Sequence, residues 1–244
     1  YLKIYNENIF KILERSHKIL TVSNFSKNDI SKTFNINKDK IHVTYLAPSK
    51  IYKPINKNLC RNFLKKFYNI NFNYVLYIGG FSPRKNILGL IEGFSKLRYK
   101  IPNIKLLIVG FKGISYENYF KRCCELNLCN DVIFTGFIPT CDLPFFYNGA
   151  KCFIYPSFYE GFGLPPLEAM ACETPVITSK VTSMPEILKN APIYIDPYNI
   201  DDIYDGLYNL LKDSSLQKKA IKNSLNHVKN FSWEKTSRKT LEFI

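Results

Sequence analysis

Two acids, Glu160 and Glu168, bracket the run Gly161-Phe162-Gly163-Leu164-Pro165-Pro166-Leu167. The glycines let the main chain turn tightly and approach a ligand. The proline pair suits the opening turn of a helix, where a missing N–H costs nothing. A loop built this way aims unpaired N–H groups and the positive end of a helix dipole at one point, where an anion can sit. The sequence places Glu168 in the first turn of that helix and Glu160 just ahead of it, so both acids can flank a bound anion. A plain Gly/Pro turn into a buried helix, with two solvated acids, fits the same residues.

A second candidate is Gly79-Gly80-Phe81-Ser82-Pro83-Arg84-Lys85-Asn86. Arg84 offers a planar donor fork to phosphate oxygens and Lys85 a compact point charge. An isolated Arg-Lys pair is usually solvated. Here it shares its surroundings with the other glycine-rich loop, which favours a diphosphate. There is no G-x-G-x-x-G or Walker pattern, which weighs against NAD and ATP.

The elements that must carry these loops alternate short apolar runs with helical stretches. Residues 74–78, 105–109, 132–135, 153–155, 176–178 and 193–195 read as buried strands. Helices are expected over 86–99, with Ile87, Leu90, Ile91, Phe94 and Leu97 on one face, and over 115–128, 142–150 and 201–229. Apolar strands separated by helices give an α/β fold, a Rossmann-like parallel sheet with helices on both faces. Ligands bind beyond the carboxyl ends of such strands. That rule gathers residues 79–85, Gly110, residues 136–139 and residues 160–168 along one rim. The first 50 residues suggest a helix, a strand at 19–22, a helix start at Ser23 and a strand at 41–45.

Composition bounds the rest. The 244 residues, 46% hydrophobic, can bury one large core or two modest ones. The net charge of +14 comes mostly from lysine, since only six of the 34 basic residues are arginine. In a background rich in Asn, Ile, Tyr and Phe this fits an AT-rich codon bias. Nucleic acid, an anionic membrane surface and phosphorylated substrates are the functional alternatives. The cations are scattered, and no aromatic-basic signature of an RNA-binding sheet appears, so nucleic-acid binding is not expected. Seven cysteines without a C-x-x-C pair argue against a disulfide scaffold and a zinc site. Cys123, Cys124 and Cys129 are expected to pack as small apolar groups on a helix, and reduced thiols point to the cytoplasm. His17, His42 and His227 are too far apart in sequence to suggest a metal site.

In these segments the chain resembles the C-terminal half of a family 4 glycosyltransferase of the GT-B fold. The resemblance runs through Thr21–Lys27, Tyr77–Asn86, Leu107–Gly110, Gly136–Pro139, Tyr155–Glu168, Pro175–Ile177 and the Pro185-Glu186 turn. It implies a missing N-terminal acceptor domain ending at residue 22, a nucleotide-sugar-binding domain over 23–230, and a C-terminal helix over 231–244 that crosses back. Arg84 and Lys85 are then expected on the donor diphosphate, and Glu160 on the transferred sugar; these three are the catalytic candidates. The donor-binding candidates are Gly79 and Gly80; Phe137 and Ile138, in the segment that borders the base; the backbone of Gly161, Phe162, Gly163 and Leu164; and Glu168 on the ribose. Many relatives carry a further Arg near the position of Gly80. The implied reaction is retaining hexosyl transfer without a metal or other cofactor. The implied partners are a nucleotide sugar, GDP-mannose first or a UDP-sugar, and a glycan or lipid-linked acceptor. Such an enzyme is expected in the cytoplasm or at the inner face of the membrane. A non-catalytic nucleotide-sugar, partner or membrane-binding module is the alternative.

Overall fold

The computed structural model describes residues 2–111, 113 and 115–243. In chain order these form α1 (Leu2–Arg15), β1 (Ile19–Thr21), α2 (Asn24–Phe34), β2 (Ile41–Val43), α3 (Lys57–Tyr68), β3 (Asn73–Ile78), α4 (Ile87–Arg98), β4 (Ile104–Val109), α5 (Tyr116–Glu125) and β5 (Val132–Gly136). There follow α6 (Leu143–Gly149), β6 (Cys152–Tyr155), α7 (Leu164–Ala171), β7 (Val176–Ser179), α8 (Met184–Leu188), β8 (Ile193–Ile195), α9 (Ile200–Lys212), α10 (Ser214–Val228) and α11 (Trp233–Leu241).

Six strands form one parallel sheet in the order β5-β4-β3-β6-β7-β8. The chain starts in the middle at β3, winds outward through β4 and β5, then crosses to β6 and winds the other way. Strand order therefore reverses between β3 and β6. That is the switch point where loops from the carboxyl ends diverge and leave a crevice. Pairing there is short: Val75 with Cys152 and Leu76 with Phe153, against six residue pairs between β3 and β4. The central strands are apolar on both faces because helices cover both, and all five residues expected on the inner face of α4 are buried. The helix packs so closely on α9 that a Cβ at Gly93 would lie 2.6 Å from Ile203 Cγ2.

Strands β1 and β2 pair in parallel in a separate two-stranded sheet. Ile19, Ile36 and Ile41 form a small core there, flanked by Leu13, Ile30 and Phe34. At the other end of the chain α11 lies against residues 42–50. Lys50 pairs with Glu234 at 2.5 Å, Thr236 donates to the Tyr45 carbonyl at 2.6 Å, and the rings of His42 and Phe243 stack. Tyr1 and Ile244, the ends of the first and last expected segments, lie outside the described residues.

Four local expectations are corrected. The helix expected over 201–229 is two helices, because the Asp213 carboxylate accepts from Ser215 N and Leu216 N and starts α10 afresh. Helix α3 occupies a stretch given no element, although the Asn56 cap and the helical spacing of its buried Cys60 and Leu64 were legible. Strand β2 stops at Val43, two residues short of the expected end. Finally, α5 ends at Glu125, and the sulfurs of Cys124 and Cys129 pair across the following turn. Of that trio only Cys123 packs as a buried apolar group.

Candidate active site

The first wall of the crevice is the chain leaving β3. Gly79 N–H donates to the Val109 carbonyl at 3.0 Å and so extends the sheet by one bond. A single 3₁₀ turn, Pro83–Lys85, follows and ends on Asn86 at φ 55°. Asparagine tolerates that left-handed conformation, and its side chain here caps Gly89 N and donates to the Pro197 carbonyl at 2.7 Å. The tight turn sends neighbouring cations different ways. Arg84 is half exposed, whereas Lys85 is buried.

The second wall is the chain leaving β6. Phe158 N–H donates to the Arg84 carbonyl at 2.8 Å and joins the two loops by their backbones. Glu160 is buried, and its Oε1 meets Lys85 Nζ at 2.5 Å and Arg84 at 3.0 Å. Arg84 also donates to the Tyr159 carbonyl at 2.9 Å. Both cations therefore converge on one carboxylate oxygen, and the Tyr155 phenol also bonds the Glu160 carboxylate. Burial pushes the Lys85 pKa down, and Arg84 adds to that; the Glu160 carboxylate opposes both.

Glu160 and Gly161 are gripped from two sides. Glu160 N–H donates to Thr182 Oγ1 at 3.2 Å, and Ser183 Oγ donates to the Glu160 carbonyl at 2.9 Å. From α2, Ser23 Oγ and Ser26 Oγ donate to the Gly161 carbonyl at 2.6 and 3.2 Å. With its carbonyls fixed, the segment turns its donors elsewhere. Among the described residues, the N–H groups of Gly161, Phe162, Gly163 and Leu164 meet no acceptor in the protein. Gly163 caps α7 at φ 90°, a conformation suited to glycine, and a Cβ there would lie 2.3 Å from Met184 Cε. The Phe162 ring is buried near Tyr45 and Phe231, which leaves its backbone to face a ligand.

Glu168 is the fifth residue of α7, just past the first turn where its spacing placed it, because the helix begins at Leu164, ahead of the prolines. Tyr147 O–H donates to Glu168 Oε2 at 2.8 Å, and Tyr52 also bonds the carboxylate. Burial pushes its pKa up, and the two phenols pull it back. The two acids thus occupy separate surroundings: Glu160 has two cations beside the Tyr155 phenol, and Glu168 has phenols alone. They are not built as an acid/base pair.

Farther along the rim, Gly110 N–H donates to the Gly136 carbonyl at 3.1 Å and ties the exits of β4 and β5 together. The Phe137 ring is exposed, while the Ile138 side chain is buried. Gly80 has open space where a Cβ would stand. Among the described residues no group of three His, Cys, Asp or Glu could hold a metal ion, and no helix is long and apolar enough to cross a membrane.

Sequence reasoning gave no role to Ser23, Ser26, Tyr155, Thr182, Ser183 or Glu186. Glu186 accepts from Asn24 N at 2.7 Å, Phe25 N at 2.8 Å, Asn24 Nδ2 at 3.0 Å and Tyr45 O–H at 2.9 Å. It thereby fixes the start of α2, whose serines hold Gly161. The Ser23 helix start was visible as a cap signal; its partner, 138 positions away, was not.

A family profile described as Glycosyl transferases group 1 matches residues 61–227. The chain belongs to the glycosyl transferases group 1 family. Within it, the chain is 36% identical to the O-antigen chain mannosyltransferase B of Escherichia coli, over 98% of this chain and 63% of that protein. It is 33% identical to the O-antigen chain mannosyltransferase RfbU of Salmonella typhimurium, over 80% of this chain and 51% of that protein. The chain thus spans less than two thirds of these relatives. The crystal structure of HepE from Anabaena in complex with UDP and glucose superposes with a TM-score of 0.84 at 18% identity, covering 93% of this chain and 62% of that one. The parallel sheet is the fold of one domain of a GT-B glycosyltransferase.

Proposed function

We propose that this chain carries the donor site of a retaining hexosyltransferase that uses a nucleoside-diphosphate sugar, with mannose as the sugar and GDP-mannose as the donor, and that transfer is to a glycan. The observation that carries the reading is the cluster of Arg84, Lys85 and Glu160 across the switch point, beside four consecutive N–H groups without acceptors. The names of the O-antigen mannosyltransferases support the sugar and acceptor class. The HepE complex, which holds UDP, supports a nucleoside diphosphate in this fold.

In this reading the bond between the sugar C1 and the diphosphate oxygen breaks, and negative charge grows on the leaving phosphate. Lys85, the free nitrogens of Arg84 and the Gly161–Leu164 N–H groups lie ready to stabilise it. Donors already fixed in a partly dry crevice need no reorganisation during the step. Glu160 Oε2 accepts from a sugar hydroxyl, and Glu168 accepts from the ribose. The acceptor oxygen attacks C1 from the face the diphosphate leaves, and the departing phosphate oxygen takes the acceptor's proton. These residues supply the positive charge, so the reaction is written without a metal.

The test is thermal unfolding in EDTA with GDP, UDP or ADP. A nucleotide at about 100 times its Kd stabilises the fold by ~2.7 kcal/mol. GDP is expected to raise the melting temperature most. If none of the three raises it, the donor-site reading fails. Incubation with GDP-mannose then separates an enzyme, which releases GDP, from a module that only binds.

A further inference from the structure

Beyond the short β3–β6 pairing two tyrosine rings meet. Tyr77 is the next-to-last residue of β3 and Tyr155 the last of β6, with rings stacked at 6.0 Å between centroids and 19° between planes. Both are fully buried. The Tyr77 O–H donates to the Gly80 carbonyl at 3.0 Å. The Tyr155 oxygen instead accepts from Lys85 Nζ, which also sits 4.7 Å from the Tyr155 ring centroid.

We infer that Tyr155 is a positioning residue for donor binding: it fixes the Lys85 ammonium and the Glu160 carboxylate in the orientation a diphosphate meets. The inference rests on the donor-site reading above and assigns the part that makes Lys85 effective. An ammonium carries three N–H donors. Glu160 takes one and Tyr155 another, which leaves one for a phosphate oxygen. A second carboxylate in place of the phenol would fix the ammonium equally well but cancel its charge. A neutral phenol orients it and leaves the charge for the ligand. Burial, and after it the Glu160 carboxylate, raise the Tyr155 pKa far above the usual tyrosine range and favour the neutral phenol.

Removing only the phenol oxygen leaves a buried ammonium one acceptor short, which costs more than the bond was worth. The other groups facing Lys85 are Glu160 and Arg84; Tyr155→Phe leaves both side chains in place and also removes the phenol's bond to Glu160. The variant is expected to bind GDP and UDP about tenfold more weakly, since a hydrogen bond to a charged group is lost. It also loses binding at a lower alkaline pH than wild type, because a poorly held ammonium deprotonates earlier.

Calorimetric titration of GDP and UDP in EDTA, from pH 7 into the alkaline range, tests this on wild type, Tyr155→Phe, Lys85→Ala and Tyr74→Phe. Tyr74 is an equally buried phenol at the far end of β3, bonded to the Phe146 carbonyl, and controls for loss of stability alone. Weaker binding with an earlier alkaline limit in Tyr155→Phe, and wild-type behaviour in Tyr74→Phe, supports the inference. Wild-type affinity and limit in Tyr155→Phe, with weak binding in Lys85→Ala, overturns it and leaves the donor site standing. No binding by wild type overturns both. If Tyr155→Phe does not fold, nitrogen NMR of the wild-type Lys85 ammonium decides. A held ammonium exchanges slowly enough to be seen at neutral pH, and its absence from the spectrum overturns the inference.

Discussion

Glu186→Ala probes how the two sheets are joined. The carboxylate accepts two backbone N–H groups at the start of α2, from Asn24 at 2.7 Å and Phe25 at 2.8 Å, besides the Asn24 amide and the Tyr45 phenol. The Phe25 bond is part-buried and the Asn24 bonds are exposed. One shielded bond to a charged acceptor contributes about 1.5–3 kcal/mol, and exposed ones much less. A negative charge at a helix N-terminus adds about 0.3–1 kcal/mol. The sum is about 3 kcal/mol. For a chain of this size, with roughly 2–4 °C per kcal/mol, melting falls by about 6–12 °C. Glu186→Gln keeps an acceptor oxygen and is expected to lose about half as much. Amide hydrogen exchange should quicken at Asn24 and Phe25 in Glu186→Ala, and GDP binding should weaken because Ser23 and Ser26 no longer hold Gly161 firmly. A melting loss under about 2 °C with unchanged exchange would refute the latch.

Two further outcomes follow from the geometry. Gly110→Ala is expected to cost about 3 kcal/mol in urea unfolding, because its Cβ would stand 2.0 Å from the Gly79 carbonyl oxygen and backbone must move. Gly80→Ala meets open space and is expected to stay within about 0.5 kcal/mol; equal losses would contradict the packing. Glu168, its pKa raised by burial, takes up a proton at a higher pH than an ordinary glutamate. GDP affinity should therefore fall on acidification from above the usual carboxylate range in wild type, and Glu168→Gln should lack that limb. A wild-type to Glu168→Gln affinity ratio that stays constant from neutral to acid pH would remove Glu168 from nucleotide binding. The same raised pKa means this carboxyl's contribution to stability is present below its unfolded pKa and lost as pH rises through the folded one.

Much of this was legible locally. The six strands of the main sheet were readable because a strand covered on both faces must be apolar throughout. The inner face of α4 followed from helical spacing, and the Gly163 cap from residues that only glycine and proline chemistry explains. The failures were also local in origin. Asp213 carries no apolar break, so its power to restart a helix was hidden among favourable neighbours. The start of α7 at Leu164, one residue ahead of the prolines, carried Glu168 just past the first turn. Cys124 and Cys129 are brought together by the turn after α5, and nothing in their spacing required it.

The sequence by itself determined the six strands of the main sheet and most of its helices, and which two loops have the chemistry to meet a phosphate. Each of those properties depends on residues within a few positions of one another. Only the tertiary structure decided that strand order reverses between β3 and β6, which brings Arg84 and Lys85 onto Glu160, 75 positions away for Lys85. It alone set Tyr155 under the ammonium and Glu186 at the head of α2. Such contacts come from strand order and close packing, and a pattern read along the chain carries neither.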